Sequence, residues 1–209
     1  MRANLLNPLG PRIVLASRSA RRAELLRLVG AQFSVCSADV DERALEGERA
    51  EEHVLRLSEA KARAGALGQA SQPARGDVVL LGADTIVTLD RAILGKPSDA
   101  EDARRMLRLL SGRVHEVWTG IAVVDPSDGR SVADAVRSIV KFSRIEEAEI
   151  ARYIATGEPL DKAGGYAVQG GGALFVEAIE GSYTNVVGLP LSHLKRLLAL
   201  IREIPARSG

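Results

Sequence analysis

The feature that most constrains this chain is the run "VVLLGADTIVTLD", Val78 to Asp90, which is apolar at consecutive rather than alternate positions. A strand of that kind must be covered on both faces, which calls for helices packed against a sheet with parallel character. The run ends at Asp90–Arg91, a turn signal, and "AILG" follows as a returning strand. Around it, strand-like and helix-like segments alternate. "RIVLAS" reads as a strand ending at Ser17, and Leu25, Leu26, Leu28 and Val29 then share one helical face before Gly30. "FSVCSA" is a second strand, and Val54, Leu57, Ala60 and Ala64 are at helical spacing in "AEEHVLRLSEAKARAGAL". "SDAE" at 98–101 matches a capping box, followed by the stripe Ala103, Met106, Leu107 and Leu110. "HEVWTGIAVVD" and "SVADAVRSIVKF" form a long hairpin about "PSDG", a helix covers about 146–155, and Pro190 opens a last amphipathic helix. These elements predict an α/β fold of mixed strand direction, flanked by helices, in one domain over residues 1–209. "GQASQPARGD", residues 68–77, reads as a surface loop.

Composition narrows the function. The 28 Lys and Arg balance 27 Asp and Glu, without the excess of positive charge that coating nucleic acid requires. Phosphate recognition, if present, is therefore local. One cysteine, Cys36, excludes an internal disulfide and a multi-cysteine zinc cage, and is expected to be a buried, inert thiol. The opening "MRANLLNPLG" is too short an apolar run for a signal peptide, and no segment reaches the ~18 apolar residues of a membrane span. The expectation is a cytoplasmic protein that binds neither membrane nor nucleic acid. The final helix suits either the pairing of two chains into a homodimer or the protein's own core.

Common chemistries are missing. Around "LGKP", Asp90 stands where a P-loop requires glycine and Pro97 where it requires Ser or Thr. "QGGGALF" fails the dinucleotide fingerprint at Phe175. His53, His115 and His193 have no zinc-protease spacing, and no serine-hydrolase elbow occurs.

Three stretches remain. In "LASRSARRAELL", Arg21 and Arg22 fall in the first turn of a helix, where a cation is disfavoured by about 0.3–1 kcal/mol. An anion held between them, Ser17 and the helix end would reverse that sign, although solvated surface arginines are the plainer reading. In "GAD", Asp84 follows the apolar run directly, so its carboxylate faces a cleft, a cation or turn amides. Glu42 in "VDE" is a second acid past a strand, and Lys61 and Lys96 are cations that could meet phosphates. In "EPLDKAGGYAVQGGG", Asp161, Lys162, Tyr166 and Gln169 sit among glycines, eight of the chain's 20 lying between Gly157 and Gly188. The Gln169 amide, with donor and acceptor, complements the edge of uracil or thymine and of other bases too.

Together with "EAKA", "LSGRVHEVWTG" and "GSYTNVVGLPL", these stretches resemble the Maf family of nucleoside triphosphate pyrophosphatases over roughly Arg12 to Ile201. "DKAGGYAVQG" is similar to the branch acting on dTTP and UTP; the branch acting on methylated guanine nucleotides differs there. The resemblance implies an elongated, two-lobed, ITPase-like fold with a central nucleotide cleft, hydrolysis of a nucleoside triphosphate to monophosphate and pyrophosphate, and a divalent metal, usually Mg2+. It implies that Asp84 is the proton acceptor, that Arg22, Thr85 and Gln169 bear on substrate choice, and that Ser17, Arg21, Glu42, Lys61 and Lys96 are needed for activity. Asp161 and Lys162 are further substrate-binding candidates. Asp84 could take the proton from water or hold the metal, with Glu42 as a second metal contact. A nucleotide-binding regulator of cell division with incidental hydrolysis, and a pyrophosphatase for methylated guanine nucleotides, are the competing readings. Two positions depart from the family pattern: Ala20, where proline is common, and Ser143, where an arginine often follows "VKF".

Overall fold

The computed structural model describes residues 4–6, 10–69 and 78–205. Its strands are β1 (Arg12–Ala16), β2 (Phe33–Cys36), β3 (Val78–Leu89), β4 (Ala92–Leu94), β5 (Val114–Val124), β6 (Ser131–Phe142) and β7 (Val176–Glu180). They form a mixed sheet in the order β2-β1-β3-β5-β6-β7, with β4 pairing with β3. β1 is parallel to both its neighbours, Val14 lying opposite Ser34 of β2 and Leu80 of β3. β4 is antiparallel to β3, and β7 to β6. The helices flanking this sheet are α1 (Ala20–Leu28), α2 (Ala50–Gln69), α3 (Ala100–Leu110), α4 (Glu147–Ala155), α5 (Tyr183–Val187) and α6 (Leu191–Glu203). Among the described residues, no helix is long and apolar enough to cross a membrane.

The chain divides into two compact units. One comprises Met1–Asp84, Thr119–Val136 and Gly188–Gly209; the other, Thr85–Trp118 and Arg137–Val187.

In the first unit, Val14, Leu80, Ala122 and Val124 of three strands pack with Ala62 of α2, and Cys36, Val78 and Ala133 border them. Cys36 is half-buried rather than buried. The buried positions of α2 among the described side chains are His53, Val54, Leu57, Ser58, Lys61, Ala62 and Gly65, a 3–4 spacing that holds for three turns. Ala60 and Ala64, expected on that face, are half-buried at its margin. Two glycines allow this helix to lie directly on the strands. A Cβ on Gly82 of β3 would stand 2.0 Å from the Ser58 carbonyl oxygen, and one on Gly120 of β5 would stand 2.0 Å from that of Val54. In α1, Leu25 and Leu26 are buried, but Leu28 is 58% exposed: the helix ends there, and Gly30, at φ +70°, turns the chain away. Leu194, Leu197, Leu198 and Ile201 of α6 are buried, so the core accounts for that stripe. α2 continues through Gly68 and Gln69, and the rest of the expected surface loop, residues 70–77, lies outside the described residues.

In the second unit, β3 turns into β4 through Asp90 and Arg91, both left-handed, at φ +51° and +69°. α3 buries Ala103, Met106, Leu107 and Leu110 as expected, but its cap is Asp99 rather than Ser98. Asp99 Oδ1 accepts from the Asp102 N–H at 2.8 Å, and Asp102 reaches back to the Ser98 N–H at 3.1 Å. Ser143 takes over the end of β6, both its N–H and its hydroxyl bonding to the Phe175 carbonyl. The glycine-rich stretch, which showed no periodicity, folds into short 3₁₀ turns at Glu158–Asp161, Ala163–Gly165 and Gly171–Phe175, then β7 and α5. His115, Phe142, Tyr166, Phe175 and Tyr153 form a chain of edge-to-face rings beneath it.

Candidate active site

The apolar run of β3 carries Asp84 inward at the end of its first unit segment, where it is 7% exposed. Its countercharge comes from the buried face of α2. Lys61 Nζ lies 2.6 Å from Asp84 Oδ1 and 2.6 Å from Glu42 Oε1. Lys61 is itself 7% exposed, whereas half of the Glu42 side chain faces solvent. The apolar spacing read from the sequence, Val54, Leu57, Ala60 and Ala64, left Lys61 off the core face; the structure shows that the buried face runs through it instead. Because Gly82 sits flush on α2 two residues earlier, the register of helix on strand fixes Lys61 against Asp84.

Glu42 belongs to the segment between β2 and α2, which α2 also holds in place. Glu48 in that segment accepts from Arg56 Nε at 2.5 Å and from Arg56 NH2 at 2.8 Å, and it meets His53 Nδ1 at 2.9 Å. Chiefly through the Arg56 bonds, the Glu48 carboxyl is held down at about 2. Asp41, next to Glu42, is paired with Arg43 at 2.6 Å.

The first turn of α1 forms a second cluster in the same unit. Arg22 is buried, its Nε donating to the Gly188 carbonyl at 2.8 Å and its NH1 to Ser17 Oγ at 3.0 Å. Ser17 Oγ also accepts from the Ser19 N–H at 3.2 Å, so the hydroxyl ties the turn to the guanidinium. Burial depresses the Arg22 pKa, with nearby Arg21 acting in the same direction, while Asp84 and Glu42 are close enough to oppose it. Arg21, Arg22, Asp84 and Glu42 thus share one electrostatic neighbourhood. Ser17, Arg21, Arg22, Glu42, Lys61 and Asp84 are brought together in one unit. The Gly188 carbonyl, which fixes Arg22, could not be picked out from sequence, lying 166 residues away.

The remaining candidates belong to the second unit. Thr85 follows Asp84 on β3 and is half-buried; Lys96 and Gln169 are exposed. Lys162 is paired with its neighbour Asp161, whose carboxylate is exposed. The Gly164 N–H donates to the Gly95 carbonyl at 2.9 Å, which joins the segment of Lys96 to that of Lys162. Sequence reasoning did not foresee three polar pairings here. Asn185 donates to the Val117 carbonyl and to Ser138 Oγ, both at 3.0 Å. His115 Nε2 meets Tyr166 Oη at 2.8 Å, and burial pushes the imidazole down to about 4. Glu158 and Tyr153 bond to each other at 2.6 Å. Their signals are spread over 47 to 68 residues of sequence in the first two cases, beyond any local pattern.

Among the described residues, no three His, Cys, Asp or Glu side chains gather to hold a metal unaided. Asp84 and Glu42 nevertheless turn carboxylate oxygens toward one point, held by the ammonium of Lys61. Two hard oxygen donors suit Mg2+, which keeps several waters and takes further oxygens from phosphates. Asp84 and Glu42 are donors of the type that ion takes, and the point they share holds the Lys61 ammonium.

Comparison with known proteins gives the family. Residues 12–201 match the family model described as Maf, Maf-like protein. A protein of Citrifermentans bemidjiense described as dTTP/UTP pyrophosphatase is 53% identical over 189 residues, 90% of this chain and 95% of that one. Proteins of the same description from Anaeromyxobacter dehalogenans and Dictyoglomus thermophilum are 52% and 45% identical, covering 91% and 89% of this chain and 94% of each. The solved structure of the Staphylococcus aureus Ham1 protein aligns with 63% of this chain and 71% of its own, at 14% identity and a TM-score of 0.37.

Proposed function

The chain belongs to the Maf family, and from that premise we propose that it hydrolyses dTTP and UTP to the monophosphate and pyrophosphate, removing unwanted pyrimidine triphosphates from the nucleotide pool. The observation that carries the reading is the buried ammonium of Lys61 clamped between Asp84 and Glu42, beside two arginines at a helix start. Purely structural ion pairs seldom repay the desolvation of so many charges, whereas phosphoryl chemistry uses them.

In this mechanism, water attacks the α-phosphorus in line. A P–O bond forms to the water oxygen, the bond to the bridging α,β-oxygen breaks, and pyrophosphate leaves with that electron pair. Asp84 takes the proton from water, and Lys61 fixes the carboxylate in place for it. Arg22, tethered by Ser17 and Gly188, presents a preset guanidinium plane, and Arg21, Lys96 and the α1 amides add positive potential for the triphosphate. Thr85 and Gln169 read the base edge, with Asp161 and Lys162 as further contacts. A divalent cation held by Asp84 and Glu42 would supply Lewis-acid stabilisation of the phosphate oxygens.

The test is a panel of canonical and modified triphosphates incubated with Mg2+, with pyrophosphate scored separately from orthophosphate. Pyrophosphate release, fastest with dTTP and UTP, is expected. Orthophosphate alone would place cleavage at another bond, and fastest turnover of methylated guanine nucleotides would reassign the base.

A further inference from the structure

The exposed Gln169 lies in a stretch of backbone gripped by one side chain before it and by another after it, and neither of them belongs to the candidate site. Before it, the Ala167 N–H donates to Tyr153 Oη at 3.0 Å. After it, the Gly171 N–H donates to Glu158 Oε2 at 3.1 Å and the Gly172 N–H to Glu158 Oε1 at 3.3 Å. The Tyr153 hydroxyl donates to Glu158 Oε1 at 2.6 Å and closes the clamp. The fit is tight. A Cβ on Gly172 would stand 2.8 Å from the Ala167 carbonyl oxygen and 3.0 Å from Tyr153 Oη, so close approach requires glycine there, and one on Gly170 would displace the end of the Glu158 side chain, 2.3 Å away. Tyr153 itself is buried at the end of α4, with its ring against Phe175.

We propose that Tyr153 and Glu158 are positioning residues for base selectivity: they hold the 167–172 backbone and so fix the point from which the Gln169 side chain reaches a base. The amide offers both a donor and an acceptor, so it selects one pyrimidine edge only when its backbone cannot shift to bring the other end into register. The rigidity comes from a carboxylate that accepts three hydrogen bonds, an arrangement stronger than neutral pairs provide. This inference rests on the proposed pyrimidine triphosphatase activity and deepens it.

Tyr153→Phe, which keeps the ring, and Glu158→Gln, which puts an amide donor among N–H donors, test it. Steady-state kinetics on dTTP and dCTP would be read beside hydrogen exchange at the Gly171 and Gly172 amides. Each variant is expected to lower the dTTP-to-dCTP ratio of kcat/KM by about tenfold or more, mainly through KM, with kcat on dTTP within about threefold of the parent. Exchange at the two amides is expected to rise about tenfold. Gln169→Ala should lower the ratio equally, and combining it with Tyr153→Phe should lower it no further. An unchanged ratio, or an equal loss of kcat on both nucleotides, would overturn the assignment, as would unchanged exchange. Failure of the parent protein to hydrolyse dTTP would instead count against the proposed activity, and exchange would still decide whether the clamp exists.

Discussion

At the residue scale, the proposed chemistry separates into a proton acceptor and its holder. Asp84→Asn keeps the shape and removes the basicity, so turnover of dTTP is expected to fall at least ~10²-fold with little change in KM. Pyrophosphate release measures it. Lys61→Met should act differently, by leaving Asp84 and Glu42 facing each other without the cation between them. Breaking a buried pair in this way costs about 3 kcal/mol, and urea denaturation would show it, with added Mg2+ restoring part of the loss. Most of this site was legible as residue types in order: Ser17, Arg21, Arg22, Glu42, Lys61 and Asp84 all gather in one unit. Their pairing was not, because the pairing of Lys61 with Asp84 depends on helix register across 23 residues, and that of Arg22 with Gly188 on contact across 166.

At the scale of elements, the seating of α2 on β3 determines where Lys61 points. Gly82→Ala would force a methyl group against the Ser58 carbonyl, and that helix or strand would have to move. Overpacking of this kind costs about 1–3 kcal/mol, and displacement of Lys61 from Asp84 should depress turnover more than the shift in Tm alone explains. Activity measured well below the Tm, compared with a Gly65→Ala control on the same helix, separates the two effects. Elements with strong periodicity, such as α3, β5 and β6, could be read directly from the sequence. The 3₁₀ turns could not, since glycine carries no hydrophobic pattern and its left-handed freedom shows only in the chain trace, and β7 and α5, at five residues each, are too short to show a period. Leu28 misled for a related reason, for a helix face predicts burial only as far as the helix has something beneath it.

At the scale of the whole molecule, stability should depend on pH through His115. Its folded pKa of about 4 lies below the ordinary 6.5, so in acid the unfolded chain binds the proton first and stability falls as pH drops from 6.5 toward 4. A loss of about 2 kcal/mol between pH 7.5 and pH 5 is expected, measured by urea denaturation, with His115→Gln flattening the profile. Carboxylates such as Glu48, held at about 2, add their own loss only below 4.5 and so leave that window clear. The division into two units has a further outcome for the polypeptide as a heritable object. The chain passes between them after Asp84, Trp118, Val136 and Val187, so no contiguous stretch encodes one unit whole without part of the other. Neither half can be exchanged as a cassette or expressed as a simple truncation, and a gene fusion or shuffling event must take the ensemble or nothing.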